Sequence, residues 1–267
     1  GHGKTHHNLV DKGLVSPIYI APTWKLATSK QKEYNINSCV YHNLIDKNPQ
    51  VFRPLLNNYN TLIIDEISMI NNKVKNQIIK RFKNHKIIFC GDLGYQLPPV
   101  DGEEFQIGKI PVIPHRTNYR CQCNELEEII KICRKAIKNN PDDFFPNISS
   151  IVKQFGFEII DRNSIDYKVE DMIITYTNKG KDFHTDKYPN LEKYMVLENK
   201  GDYCNTEIVF EKPPVKHELR HAFTIHSIQG ETASDKLFID INKMTSLRML
   251  YTAISRARYK SQIIIIK

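Results

Sequence analysis

The chain has 267 residues, enough for one large domain or two modest ones, each with its own core. Charged residues make up 25% and apolar residues 40%, a globular balance, and no apolar run approaches the ~20 residues of a membrane helix. The net charge of +8 suits a polyanionic partner, and equally a solvated basic surface. Of the six cysteines, Cys121, Cys123 and Cys133 lack paired metal-ligand spacing and a fourth ligand. Free intracellular thiols are therefore expected ahead of zinc.

The chain opens "GHGKTHHNLV". Gly3-Lys4-Thr5 matches the end of a phosphate-binding loop, G-x-x-x-x-G-K-[ST]. The earlier glycine of that pattern would precede Gly1, so the first strand and half of the loop are expected to be missing from the chain. A helix starting at Lys4 would aim free N–H groups and a positive dipole end at phosphates. On these residues alone, a surface lysine in a frayed terminus is an equal reading.

Further along, "PIYIAPT" (17–23) has the composition of a strand, followed by "TLIIDEIS" and "KIIFCGD". "NNKVKNQIIKRF" and "ELEEIIKICRKAI" are amphipathic helices. In "GKIPVIPHRTNYR" (108–120) two prolines break the alternation, which marks a domain join. Beyond it, "DMIITYT", "KYMVLE", "TEIVFE", "HAFTIH", "KLFIDI" and "QIIIIK" are strand candidates. "ENKGDYCNTE" and "EKPPVKHE" are loops around a small β insert. Strands alternating with helices predict an α/β protein with parallel sheets.

"TLIIDEIS" ends in Asp65 and Glu66. A strand buried on both faces delivers such residues to the crevice where α/β sheets bind ligands. One carboxylate can hold Mg²⁺ through water and the other can take a proton from an attacking water. Lys4 would be a point charge on the β/γ-phosphates of ATP and Thr5 a Mg²⁺ ligand beside Asp65. "GDLGYQLPPV" follows the third strand and places Gln96 where it can meet a phosphate or orient water.

"GDLGYQLPPV" resembles motif III of superfamily 1 helicases, in the RecD-like and telomere-maintenance-helicase branch. Six other motifs follow in that family's order: "APTWKLA" (21–27) is similar to motif Ia, "VYHNLI" (40–45) to the T-I-H motif and "IIDEIS" to motif II. "TNYR" (117–120) is similar to motif IV, "FTIHSIQGET" (223–232) to motif V and "YTAISRAR" (251–258) to motif VI. The resemblance implies two RecA-like P-loop NTPase domains, 1–110 and 111–267, with a short β insert near 178–222 and ATP between them. It assigns Lys4, Asp65, Glu66, Gln96, Arg120 and Arg256 to catalysis. Gly3, Lys4, Thr5, Gly230 and Glu231 are assigned to the nucleotide, and Thr5 and Asp65 to Mg²⁺. Thr23, His42, Thr224 and His226 would hold a nucleic-acid backbone, and Trp24 would either stack on a base or anchor the core. Arg256 and Arg258 are expected on different faces of one helix, with Arg256 in the cleft. The implied activity is ATP-dependent unwinding or translocation on single-stranded DNA, 5′-to-3′, with replication or repair proteins as further partners and no membrane. An RNA helicase, a non-catalytic binding module and a small-molecule kinase are the alternatives.

Overall fold

The computed structural model describes residues 14, 16–45, 56, 58–114, 120–140, 144–145, 147–201 and 203–267. Gly3, Lys4 and Thr5 lie outside the described residues, as does most of the segment between "VYHNLI" and "TLIIDE".

The first sheet contains β1 (Pro17–Ala21), β2 (Ser38–Val40), β3 (Thr61–Ile64) and β4 (Lys86–Phe89). All pair in parallel, in the order β2-β1-β3-β4. Helices α1 (Trp24–Tyr34), α2 (Tyr41–Ile45) and α3 (Asn72–Arg81) connect them. β1 and β3 are apolar on both faces because both faces are covered. Ile18, Ile20, Leu62 and Ile64 pack with Leu44, Ile70 and Ile78. Tyr19, Ala21 and Ile63 pack with Ala27 and Cys90 on the other face. Each such side chain, fully buried, contributes ~1.5–3 kcal/mol. Helix starts follow side-chain chemistry: Asn71 Oδ1 accepts the Val74 amide at 2.9 Å and caps α3, worth ~1 kcal/mol.

The second part begins with α4 (Asn124–Asn139), α5 (Ile148–Gln154), β5 (Glu158–Ile160), β6 (Met172–Thr175) and α6 (Asn178–Asp186). A small antiparallel sheet follows, formed by β7 (Tyr194–Val196), β8 (Ile208–Val209) and β9 (His217–Leu219) in the order β8-β7-β9. The chain then returns through β10 (Ala222–Thr224), β11 (Leu237–Asp240), α7 (Leu247–Ile254) and β12 (Ile263–Ile266). The five-stranded sheet is parallel, ordered β10-β6-β11-β12-β5. Its main core joins Ile174, Leu237, Ile239, Ile263 and Ile265 to the apolar faces of α4 and α7.

All nine strand candidates are strands, and the β insert is a three-stranded sheet. The sequence reading missed β2, β5 and β9. Each has three residues and lies at a sheet edge, too short for an apolar run to stand out from its flanks. Cys133 is buried in the main core on α4, whereas Cys121 and Cys123 precede that helix. Among the described residues no group of His, Cys, Asp or Glu could hold a metal ion.

Beneath the insert lies a buried polar cluster. Lys193 donates to the Asp171 carbonyl and to the Tyr167 hydroxyl, the latter at 3.1 Å. His221 Nδ1 stands 3.3 Å from the same hydroxyl. Burial, and then the Lys193 charge, push His221 down to about 4, whereas an unfolded histidine titrates near ~6.5. On acidification the unfolded chain binds that proton first, so this contribution to stability is full above pH ~6.5 and lost as pH falls to about 4. Urea midpoints taken from pH 7.5 to 4.5 should therefore fall more steeply for the parent than for His221→Gln. Parallel curves would contradict the burial of a neutral His221.

Candidate active site

β3 is hydrogen-bonded on both sides, so its exit is fixed. The Asp65 amide donates to the Ile20 carbonyl at 2.8 Å and the Cys90 amide to the Ile64 carbonyl at 2.7 Å. The Asp65 carboxylate is buried. Its Oδ2 accepts the Tyr19 hydroxyl at 2.7 Å and its Oδ1 accepts the Glu66 amide at 2.9 Å. Burial, and then the Asp65 charge, hold the Tyr19 phenol well above its ordinary value, so it remains a donor. Glu66 takes the left-handed conformation, φ 48° and ψ 50°, at a cost of about 1–3 kcal/mol for a non-glycine residue. That turn brings its side chain to the second part of the chain. A Cβ built on Gly230 would lie 3.8 Å from Glu66 Cγ and 3.1 Å from Leu26 Cδ2.

The segment after β4 also crosses. Ser68 Oγ donates to Gln96 Oε1 at 3.0 Å, which ties Gln96 to the turn after Glu66. The next residue is held from the other side: the Leu97 amide donates to Thr252 Oγ1 and the Leu97 carbonyl accepts Gln229 Nε2, both at 3.3 Å. Asp92 accepts the Tyr251 hydroxyl and pairs with Arg134 at 3.2 Å. The Arg134 guanidinium lies 4.1 Å over the Tyr95 ring. Leu97 thus packs in the main core of the second part.

Arg256 is fully buried. It does not lie on α7 as expected: that helix ends at Ile254, and Ser255 caps it in a helical conformation. Arg256 occupies the following turn, where its amide donates to the Ala253 carbonyl. Its Nε donates to the Thr252 carbonyl at 3.0 Å, Nη2 to Ser255 Oγ at 2.8 Å and Nη1 to the Glu231 carbonyl at 3.4 Å. The separation of Arg256 from Arg258 therefore comes from the turn and not from helix faces; Arg258 is exposed. Arg120 Nη1 donates to the Ser255 carbonyl at 2.9 Å. Burial, and then the charge of Arg256, push Arg120 down to about 10. Burial also lowers Arg256, with Glu66 its strongest opposing charge. A buried and a half-buried guanidinium in each other's field favour an anion nearby, and their planar donor forks suit phosphate. A carboxylate at the end of a buried strand is a hard oxygen donor of the kind that suits a cation such as Mg²⁺.

Thr23 caps α1, its Oγ1 accepting the Leu26 amide at 3.3 Å. Trp24 is half-buried against the cluster of Tyr19, Ala27 and Ile63. His42 is exposed, its ring stacked 4.3 Å from that of Tyr41. Thr224 ends β10, its carbonyl accepting Ser227 Oγ at 2.8 Å. His226 follows in a 3₁₀ turn, where burial lowers its pKa. Lys25 Nζ meets Glu231 Oε2 at 3.0 Å, so Thr23, Gly230 and Glu231 lie at one junction. Sequence reading missed Tyr19, Lys25, Asp92, Arg134 and Gln229. Gln229, Tyr251 and Thr252 stand inside motifs already singled out, but only contacts between distant segments reveal their work.

Residues 2–101 match the protein family described as AAA domain. No curated protein matches the chain in sequence. Among solved structures, a Pif1 helicase from a study of forked double-stranded DNA unwinding by two coordinating Pif1 helicases superposes with a TM-score of 0.72. The identity is 18%, over 99% of this chain and 85% of that one. Bacteroides Pif1 bound to single-stranded DNA gives 0.71 at 18% identity, over 99% and 86%. The Pif1 helicase of Candida albicans gives 0.60 at 13% identity, over 100% and 94%. The chain thus has the parallel α/β fold of RecA-like helicase domains. More particularly, it has the fold of the Pif1-like superfamily 1 helicases.

Gly91 fixes the closeness of β4's exit to the turn after Glu66. A Cβ there would lie 2.4 Å from Ile67 Cγ1 and 2.9 Å from the Ile67 amide nitrogen. Gly91→Ala should lower unfolding free energy by ~1–3 kcal/mol, the cost of overpacking, as a shift in urea midpoint. An unchanged midpoint would contradict this packing.

Proposed function

We propose that this chain is an ATP-dependent helicase or translocase acting on single-stranded DNA in the 5′-to-3′ direction, with RecA-like domains at 1–110 and 111–267. The observation that carries the reading is the seam between the two parts: Leu97, next to Gln96, is held by Thr252 and Gln229, and Arg120 and Arg256, bonded to the Ser255 and Glu231 carbonyls, lie within the field of Glu66 from the first sheet. Such a site is complete only when both parts contribute.

Lys4 and Thr5, with Gly3 before them, are assigned to the phosphates; they fall within the AAA-domain match. When bound beside Thr5 and Asp65, Mg²⁺ neutralises charge on the β- and γ-phosphates. Glu66 is the acceptor for the proton of the attacking water. Gln96, fixed by Ser68, orients that water or reports the γ-phosphate. Arg256 and Arg120 stabilise the charge that spreads over the transferred group, an effect worth ~10³–10⁵ in rate for an arginine finger. Thr23, His42, Thr224 and His226 hold the strand backbone, which positions it without reading sequence. Gly230 and Glu231 stand between the two sites: Gly230 beside Glu66, and Glu231 on Lys25, two residues from Thr23. A change at the nucleotide therefore has a short route to the strand.

Steady-state ATP turnover should rise on adding single-stranded oligonucleotide. Arg256→Ala should lower turnover by ~10³ or more while nucleotide affinity stays within a few-fold of the parent. Arg256→Lys should recover little, because lysine lacks the planar fork, and exposed Arg258→Ala should behave like the parent. A folded Arg256→Ala protein, verified by circular dichroism, that kept parental turnover would sink the assignment.

A further inference from the structure

A cavity of about 190 Å³ opens where the three parts of the chain meet. The first sheet contributes Thr23, the turn after β10 contributes Ser227, and β10 itself contributes Phe223. The small antiparallel sheet supplies Met195, Ile208 and Phe210. This is smaller than the ~300–1,000 Å³ typical of small-molecule sites, so it suits one ring system and not a whole nucleotide. Glu170, Asp171 and Glu231 also line it, against Lys25 and Lys193. Both cations are engaged: Lys25 with Glu231, and Lys193 with the Asp171 carbonyl and Tyr167. A phosphate would meet a wall with more carboxylates than ammonium groups, whereas a neutral base carries no charge to repel. Phe210 follows the edge strand β8 and remains 50% exposed although it lines the cavity. Phe210 therefore leaves aromatic surface uncovered on a pocket that joins apolar side chains to a charged wall.

Resting on the strand-binding reading above, we infer that this cavity receives one unstacked base of the bound single strand, with Phe210 as its stacking face. Thr23 and Ser227 lie on the cavity wall beside the residues assigned to the backbone, so a strand held there passes the opening. The base turns inward while its phosphates stay outside. The antiparallel insert thereby adds a base contact to a path otherwise made of backbone contacts, and sequence tolerance persists because every base has a π-face.

The test measures binding of a fluorescent oligo-dT to the whole protein, with a single abasic spacer moved along the strand. A spacer at one position should weaken binding by about 5- to 100-fold, the range of one base–aromatic stack, and other positions should matter less. Phe210→Ala should cost a similar factor and abolish the penalty at that position, whereas Phe210→Trp should keep both. Parental affinity in Phe210→Ala, or a spacer penalty that survives it, would overturn the base pocket while leaving strand binding intact. Failure of the parent to bind any oligonucleotide would overturn both.

Discussion

Two guanidinium groups, fully buried Arg256 and half-buried Arg120, share one junction between the two parts of the chain, both bonded to the turn that ends α7. Like charges in a low-dielectric setting repel more strongly than in water. Burial, and then the charge of Arg256, push the Arg120 pKa down to about 10. Carbonyls of Ser255, Thr252 and Glu231 satisfy the N–H groups but bring no full charge. Glu66 supplies one, delivered from the first sheet by a strained turn. An anion such as a terminal phosphate would supply more, and its departure would leave the two arginines to repel.

The fold exists to hold that junction. Parallel strands buried on both faces leave little freedom at their ends, so β3 places Asp65 and Glu66, and Tyr19 of neighbouring β1 locks Asp65 from the side. The segment from Asp92 to Leu97 leaves β4 and acts as a strap between the parts, its Asp92 end held by Tyr251 and Arg134 and its Leu97 end by Thr252 and Gln229. Thr252 and Arg256 lie four residues apart and are bonded to each other. The group that grips the strap is therefore tied to the arginine proposed to meet the nucleotide.

The strands and most helices were legible in the sequence because buried parallel strands have continuous apolar runs such as "TLII" and "QIIIIK". Three edge strands were not, since each is too short for such a run to stand out from its flanks. Asp65, Glu66, Gln96 and Arg256 stood out because their residue types suit phosphate chemistry at strand ends and turns. Tyr19 did not: inside "PIYIA" it has the look of a packing residue, and only the β1–β3 register puts its hydroxyl on Asp65. Asp92 did not stand out either, because its partners Arg134 and Tyr251 are distant in the chain. Arg256 was expected on a helix because "YTAISRAR" contains no breaker. The helix ends earlier because the Arg256 side chain bonds back to Thr252 and Ser255, a preference set by burial and not by propensity.

If one junction serves both nucleotide and strand, binding at either must alter affinity at the other by the same factor. In the proposed mechanism Glu66→Gln removes the proton acceptor, so the variant should hold ATP without turnover. Its Kd for single-stranded oligonucleotide should change by about 5-fold or more on saturation with ATP, the scale of a typical coupling between sites. ATP affinity should shift by the same factor on adding oligonucleotide. Identical strand affinity with and without ATP would contradict a shared junction.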